Sequence, residues 1–514
     1  MIPYTKYPGI SDLFLDFLRG LPEFYPDPPT IEAAAERGRQ LLFDGARPRF
    51  PSTALKFRGD AAARMAEDFC AGRAVGVSAG HQVGLFTGPF FTLVKAFDAI
   101  HLARELSRRG VPAVPVFWAL TDDHDLQEIA RTARPSEEGA EILVLEGADR
   151  QNRHPVGPLP IPEGIAGIVD AFRRDATDEA GAAILEGFAR RSAPGVSYAT
   201  AFTETLLDLV DPDPLLVLDP LSEPLRAPTV ELFLEAARRE KELRAVLLAT
   251  EERLRRADKV VPAPVPEGFS FFTIGKDGRR RVEDVAAAVK KVKAGNAWPS
   301  GDVITRPALK SYLFPMAASV LGAAEIAYHA QSLALFPVLG VTPPVLIPRT
   351  HVLLRGPAER RLADALKIRE EDLLSPAPAT APEVPGSDEL SGLGRAADEG
   401  LAALAPVLEK LDPTLLGALD TTRRKIGYHF EKLAERARRA VERRGGVLSG
   451  RRRRLERLLM PGGVPAERIF PALVPMLAHG DGVRDALRRA AEGDSTRGVV
   501  VVDVGAEEGS PRAR

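Results

Sequence analysis

Two apolar runs separated by one long helical segment constrain this chain more than anything else in it. Residues 74–79 (AVGVSA) end at Gly80, and Ala113–Leu120 (AVPVFWAL) ends at Thr121. Neither run carries a charge or alternates with polar residues, so each reads as a strand buried on both faces. Between them, residues 92–109 place Leu93, Val94, Phe97, Ile100, Leu102, Ala103 and Leu106 on a wide apolar face, and Gly110 stops the helix. Strand, helix and strand in this order form a βαβ crossover, the element of a parallel sheet of the Rossmann-like kind. The fold class is therefore α/β.

Further runs of the same type occur at 215–218 (LLVL), 344–347 (PVLI) and 499–502 (VVVV). The distances between them are too long for simple crossovers, so the intervening segments read as insertions. The plan that follows has a core over 1–126, 213–259 and 301–375. A first insertion covers 127–212, and a smaller one covers 260–300, where the KDG of SFFTIGKDGRRRVED marks a hairpin turn. An amphipathic helix is expected over Ile31–Phe43, and an apolar helical stretch is expected from Pro315 onward. Residues 376–394 are rich in Pro, Gly and Ser and read as a linker. After it, 396–460 is nearly free of turn signals apart from Pro406, Pro413 and the pair Gly445 and Gly446, so 376–460 reads as linker plus a helical coiled-coil hairpin. The chain then returns to the core over 461–514.

With 514 residues, more than one structural unit is expected. The 69 basic residues nearly balance 71 acidic ones, which argues against a nucleic-acid coat or a membrane-surface protein. Basic charge is local: 14 Arg and Lys against 4 Glu over 421–458. With only Tyr428 and Phe430 as interleaved aromatics, a solvated coiled-coil face or a dimer surface is favoured there over a nucleic-acid site. Cys70 is the only cysteine, so no internal disulfide can form and a structural thiol is expected. The start MIPYTKYPGISDLF has no basic stretch leading into an apolar core, and no run of 18 apolar residues occurs. The expectation is a cytoplasmic protein without a membrane partner.

Three polar clusters could carry chemistry. The first strand runs into Gly80, His81, Gln82, Gly84, Thr87 and Gly88, with Lys95 in the next helix. This loop is either a tight turn or a place where backbone amides, capped by Thr87 or Gly88, meet a phosphate or carboxylate. The second strand runs into Asp122, Asp123, His124 and Asp125. A metal is the weaker reading, since consecutive residues cannot all point one way. An imidazole acid or base oriented by an aspartate is the better one, against a merely solvated turn. The third cluster sets Glu325, Tyr328 and Gln331 at helical spacing, as a pocket wall or as paired core polars, and Arg306 and Lys310 precede it.

These segments resemble the bacillithiol biosynthesis cysteine-adding enzymes. AGHQVGLFTGPFFTLVK matches that family's A-G-x-Q-x-G-L-x-T-G-P-x-x-T-x-x-K pattern, and VPVFWALTDDHDLQE matches its V-P-V-F-W and D-H-D-x-x-E segments. ITRPALKSYLFPMAASVLGAAEIAYHAQ and VTPPVLIPR look like later family blocks, with Arg306, Glu325, Tyr328, Gln331 and Arg349 matching. The resemblance implies a core similar to class I aminoacyl-tRNA synthetases and nucleotidyltransferases, two connecting-peptide insertions, and a homodimer formed through the coiled coil. It implies ligation of L-cysteine to glucosaminyl-malate through an amide. His124, Asp123 and Asp125 would be catalytic. Gly80, His81, Gln82, Gly84, Thr87, Gly88, Lys95, Trp118, Arg306, Glu325, Tyr328, Gln331 and Arg349 would bind substrates or nucleotide. A carboxylate must be activated before an amine attacks it, so ATP or another nucleotide is expected, with Mg2+ as its companion; no resident metal is expected. A non-catalytic nucleotide-binding dimer scaffold, or a nucleotidyltransferase acting on another small acid, stays open beside this reading.

Overall fold

Strands with no face to give to water must be covered on both sides, and the computed structural model shows how this chain does it. It describes residues 1–20, 22–149, 151–375, 387–442 and 447–505. The central sheet has six strands: β1 (Leu55–Lys56), β2 (Val75–Gln82), β3 (Ala113–Leu120), β4 (Leu216–Leu218), β5 (Met316–Leu321) and β6 (Val345–Pro348). Their order is β1-β4-β3-β2-β5-β6, all parallel except the edge strand β1, which is antiparallel to β4. The β2–β3 pair runs in register from Val75 opposite Ala113 to Gln82 opposite Leu120.

Side chains of β3 alternate between two cores. Ala113, Phe117 and Ala119 join the core that holds helix α1 (Ile31–Phe43) and helix α2 (Phe91–Arg108). Val114, Val116 and Trp118 join the other, with the helix Arg226–Arg238 and helix α3 (Arg306–Leu313). Each fully buried Val, Leu or Phe stabilises this three-layer arrangement by about 1.5–3 kcal/mol. Thr30 caps α1 by accepting from Ala33 N at 3.2 Å.

Two expectations need correction. The stretch from Pro315 is not helical at first: Met316–Leu321 is β5, in the middle of the sheet, and helix α4 (Ala323–Ser332) begins only after Gly322. A short run buried on both faces carries no period to separate strand from helix, and its Met and Ala suited either. The run at 499–502 does not join the central sheet. Val500–Asp503 pairs in parallel with Val352–Arg355 as a separate two-stranded sheet.

Between β3 and β4 lie a short helix (Leu126–Ile129), an antiparallel hairpin (Arg131–Ser136 with Gly139–Val144) and then three more described helices, the last ending at Val210. Between β4 and β5, Phe269–Gly275 and Gly278–Val282 form a hairpin across Lys276 and Asp277, joined by Trp298–Gly301 into a three-stranded antiparallel sheet.

The chain divides into two compact units. The second comprises Arg361–Ile368 and Ser375–Glu456. There, Ser387–Ala402 packs along Leu415–Glu442 in antiparallel fashion, with the Arg423 guanidinium donating twice to Asp398 at 2.8 Å. Residues 387–394, expected as linker, are thus the first half of a helix, while 376–386 lie outside the described residues. The turn of this pair falls near Pro406 and Pro413; Gly445 and Gly446 lie outside the described residues. No described helix is long and apolar enough to cross a membrane.

Candidate active site

The strand order reverses at β2, with β3 and β4 on one side and β5 and β6 on the other. Parallel sheets bind ligands in the crevice beyond the carboxyl ends at such a reversal. Gly80 sits there because nothing larger fits: a Cβ would lie 2.8 Å from the Trp118 carbonyl oxygen on β3. From α2, buried Lys95 donates to Gly80 O at 3.1 Å and pairs with Glu325 of α4. Glu325 also accepts from Gly322 N at 2.6 Å, so it caps its own helix. Burial pushes the Glu325 carboxyl up, but the Lys95 charge and these hydrogen bonds outweigh it and hold it below the usual range.

The crevice is a solvent-open cleft, about 550 Å³ with the open solvent at its mouth counted in. Gly80, Trp118, Arg306, Lys310, Glu325 and Tyr328 line it. Arg306 donates to Gly301 O at 3.2 Å, while its buried Nε has no partner among the described residues. Tyr328 stacks on His329 at 5.4 Å between ring centroids. The Lys310 amine has no hydrogen bond among the described residues, and burial lowers it to about 7. Arg306 therefore gives the wall of the cleft a cation with a donor to spare, suited to an anion.

At the end of β3 a second polar group forms. Ser300 donates to Asp122 Oδ2 at 2.5 Å, and Asp122 Oδ1 is buried without a partner. Arg279, from the second hairpin, lies with NH1 3.3 Å from Asp123 Oδ1 and 3.0 Å from His124 Nδ1. It also donates to Ser300 Oγ and Gly301 O, both at 3.2 Å, and its guanidinium lies 3.7 Å above the Phe272 ring. Burial pushes the Asp123 carboxyl up, but His124, Arg306 and Arg279 together hold it well below the usual carboxylate range. A guanidinium can only donate and a carboxylate only accept, so the 3.0 Å contact to Arg279 asks for a lone pair on His124 Nδ1, and the 3.3 Å contact to Asp123 Oδ1 asks for a proton there. The two neighbours thus compete to set the His124 tautomer. Arg279 and Ser300 were not singled out from sequence. The run Arg279, Arg280, Arg281 after a hairpin glycine was the only signal, and it does not say which arginine faces inward.

The β2 loop is tightly wound. Phe86 and Thr87 have φ of 53° and 72°, followed by Gly88 at 69°. The Thr87 hydroxyl donates to Phe86 O at 2.6 Å, so it does not cap α2; that position belongs to Phe90, which has no capping side chain. Gly84 N closes the loop on Gln82 O at 2.9 Å. Next to the uncapped helix start, the Thr92 hydroxyl is buried without a partner, 3.9 Å from where a Gly88 Cβ would be. His81 packs its ring edge-on to Phe91 at 4.9 Å, and burial, then the Lys95 charge, lowers it to about 4. The Phe90, Thr92 and Leu93 amides are bonded to the carbonyls of Phe470, Pro89 and Phe90, so the polar group left over here among the described residues is the Thr92 hydroxyl.

Three expected site residues are engaged elsewhere. Arg349 is buried in a two-pronged pair with Glu467, at 2.7 and 2.9 Å, because a guanidinium out of water needs a counter-charge. Gln331 holds both backbone groups of Ala263, at 2.7 and 3.0 Å, and pins the approach to the second hairpin. Asp125 is exposed and accepts from Glu128 N at 3.1 Å as a helix cap. Among the described residues no group of three or more His, Cys, Asp or Glu is arranged to hold a metal; Asp122 and Asp123 face arginines instead. The half-buried Cys70 thiol is pushed up to about 11 by burial, which suppresses the thiolate.

Comparison with known proteins places this geometry. Residues 52–350 match the family described as bacillithiol biosynthesis BshC, N-terminal Rossmann-like domain, and residues 389–497 match the BshC C-terminal coiled-coil domain. Proteins named "Putative cysteine ligase BshC" are similar over most of their length. The one from Koribacter versatilis is 27% identical over 95% of this chain and 97% of its own. That from Salinibacter ruber is 28% identical over 83% and 82%, and that from Solibacter usitatus 27% over 91% and 90%. With one domain model covering the sheet and its cleft and the other the helical hairpin, the chain belongs to the BshC family of bacillithiol biosynthesis.

Proposed function

We propose that this chain is a carbon–nitrogen ligase that joins the carboxyl group of L-cysteine to the amine of glucosaminyl-malate, working in the cytoplasm as a homodimer. The observation that carries the reading is the cationic cleft at the sheet's reversal point, inside the segment that matches the family. The names of the relatives support the reaction class. A malate-bearing substrate brings carboxylates, and Arg306, with its free Nε, and the Tyr328 hydroxyl suit them.

A bound nucleotide, ATP in the first instance, would supply the phosphoryl leaving group that makes the cysteine carboxyl reactive. The Thr92 hydroxyl and His81, beside Gly88, are the groups that would meet its phosphates. Mg2+ would arrive on those phosphates, since Asp122 and Asp123 are engaged by Ser300 and Arg279. The test is to incubate purified protein with L-cysteine, glucosaminyl-malate, ATP and Mg2+ and to look for the amide by mass spectrometry. Product that disappears when any organic component is left out supports the reading. No product from the complete mixture, with nucleotide binding intact, replaces it with a non-catalytic scaffold.

A further inference from the structure

We propose that Lys310 is the base that takes the proton from the ammonium group of the amine substrate. This rests on the ligase reading above. An amine is protonated at neutral pH and must lose a proton before its lone pair can attack, so the cleft needs an acceptor. His124 is not among the residues that line the cleft, and its Nδ1 is held between Arg279 and Asp123.

The other candidates are also engaged. Glu325 is held by Lys95 and Gly322 N. Asp123 is held by Arg279 and the His124 amide, and Asp122, bonded to Ser300 through Oδ2, does not line the cleft. His329 donates from Nδ1 to the Glu325 carbonyl at 2.7 Å, which leaves Nε2 as an acceptor, but burial lowers the ring to about 4, too weak a base to keep an ammonium's proton. Lys310 remains. It lies one turn beyond Arg306 on α3, lines the cleft, has no hydrogen-bond partner among the described residues, and has its Nζ 5.9 Å from the centroid of the Trp118 ring.

The charges around it act in one direction. Burial disfavours the ammonium form most, and Lys95 and Arg306 add positive neighbours; Glu325 opposes them, but its charge is already compensated by Lys95. From the other elements packed on α3, Asp302 is taken up by Ile304 N, Thr305 N and Arg281. Glu231 and Glu235 of the helix Arg226–Arg238 interact with Tyr312, whose ring also lies under the Arg49 guanidinium, and not with Lys310. The helix Leu335–Leu339 brings no charge, and Tyr328 and His329 are neutral near pH 7. The amine is therefore lowered to about 7 and is available as a base in the neutral range.

The step balances. The Lys310 lone pair takes one proton from the substrate ammonium. The freed amine forms the C–N bond at the activated cysteine carboxyl carbon. The bond from that carbon to the phosphate oxygen breaks, and the phosphate leaves with the electron pair and takes up the second proton, which the nitrogen sheds as the amide forms. The proton on Lys310 then returns to solvent.

Two measurements on the full-length protein decide it. The first is pulse labelling with acetic anhydride from pH 5.5 to 10, read at Lys310 by peptide mass spectrometry. A reactivity midpoint about three pH units below that of the exposed Lys290 supports the proposal, and a shared midpoint near 10 overturns it. The second is Lys310→Ala, expected to lose roughly a hundredfold or more in turnover and to recover with added small primary amines, faster for the more basic ones. Lys310→Ala that turns over like the wild type, or that folds but is not rescued by any amine, overturns it. A wild-type protein that makes no product defeats the ligase reading instead, and the labelling alone then decides the state of Lys310.

Discussion

A guanidinium beside an imidazole nitrogen decides what that imidazole can do. Arg279 reaches His124, Asp123, Ser300 and Gly301 with one planar fork, and lysine, a point charge, cannot do so. Arg279→Lys is therefore expected to leave the fold intact and to lower turnover by roughly a hundredfold, the scale of a misplaced group. Nitrogen-15 spectra should show the His124 tautomer ratio moving toward Nδ1–H as Asp123 is left without the competing guanidinium, and unchanged spectra would refute a part for Arg279 in setting it. The buried histidines make a second prediction. His81 and His329 are both lowered to about 4, chiefly by burial, from an ordinary value of 6.5. The unfolded chain binds these protons more readily than the folded one, so stability is full above pH 6.5 and falls as pH drops toward 4. Unfolding midpoints measured from pH 7 to 4 should decline, and His329→Asn should flatten the decline. A slope identical to the wild type would show that His329 is not a source of it. At this scale the sequence makes residue types visible but not partners. Glu325 and Lys95 were both in view, whereas their pairing across α2 and α4, and the pairing of Arg349 with Glu467, needed long-range geometry.

Elements were legible where periodicity or flanking punctuation was strong. The helix Ile31–Phe43, the strand Ala113–Leu120 and the hairpin turn at Lys276 and Asp277 have the bounds or register that their residues imply. β5 was not legible, since a six-residue run buried on both faces has no polar side to reveal its period. The order of the strands was equally hidden: the placement of β5 beside β2 is a tertiary fact, and it is what creates the cleft. Gly80 gives a test at this level. An alanine Cβ there would meet the Trp118 backbone at 2.8 Å, and backbone inside a sheet cannot step aside as a flexible side chain can. Gly80→Ala is expected to cost about 1–3 kcal/mol, the usual range for overpacking, in denaturant unfolding followed by tryptophan fluorescence. A change under half of that would mean that β2 and β3 can separate locally at no cost. Loss of nucleotide or substrate binding should accompany the destabilisation, because the same movement displaces Gly80 O from Lys95.

For the whole molecule, the helical hairpin raises the question of association. Its two long helices cover one another along Gly394 and Phe430 and through Arg423 and Asp398, yet other apolar side chains are left in water. Val407 and Leu411 are 55% and 73% exposed and lie one turn apart on Ala405–Leu411, with Leu404 and Leu415 also exposed nearby. An apolar stripe of this kind on a helical surface is what a second helix covers, and a second copy presents the same stripe by symmetry. The homodimer proposed for this protein is therefore expected to form through this unit. Val407→Arg with Leu411→Arg places four cations in a symmetric contact, which should split the dimer without touching either buried core. Light scattering should then give the mass of one chain where the wild type gives two, with helical content unchanged by circular dichroism. Replacing 375–456 by a short linker should have the same effect on mass. A double-arginine variant that stays dimeric would remove this stripe as the interface, and a wild-type chain that is monomeric at micromolar concentration would remove the dimer itself.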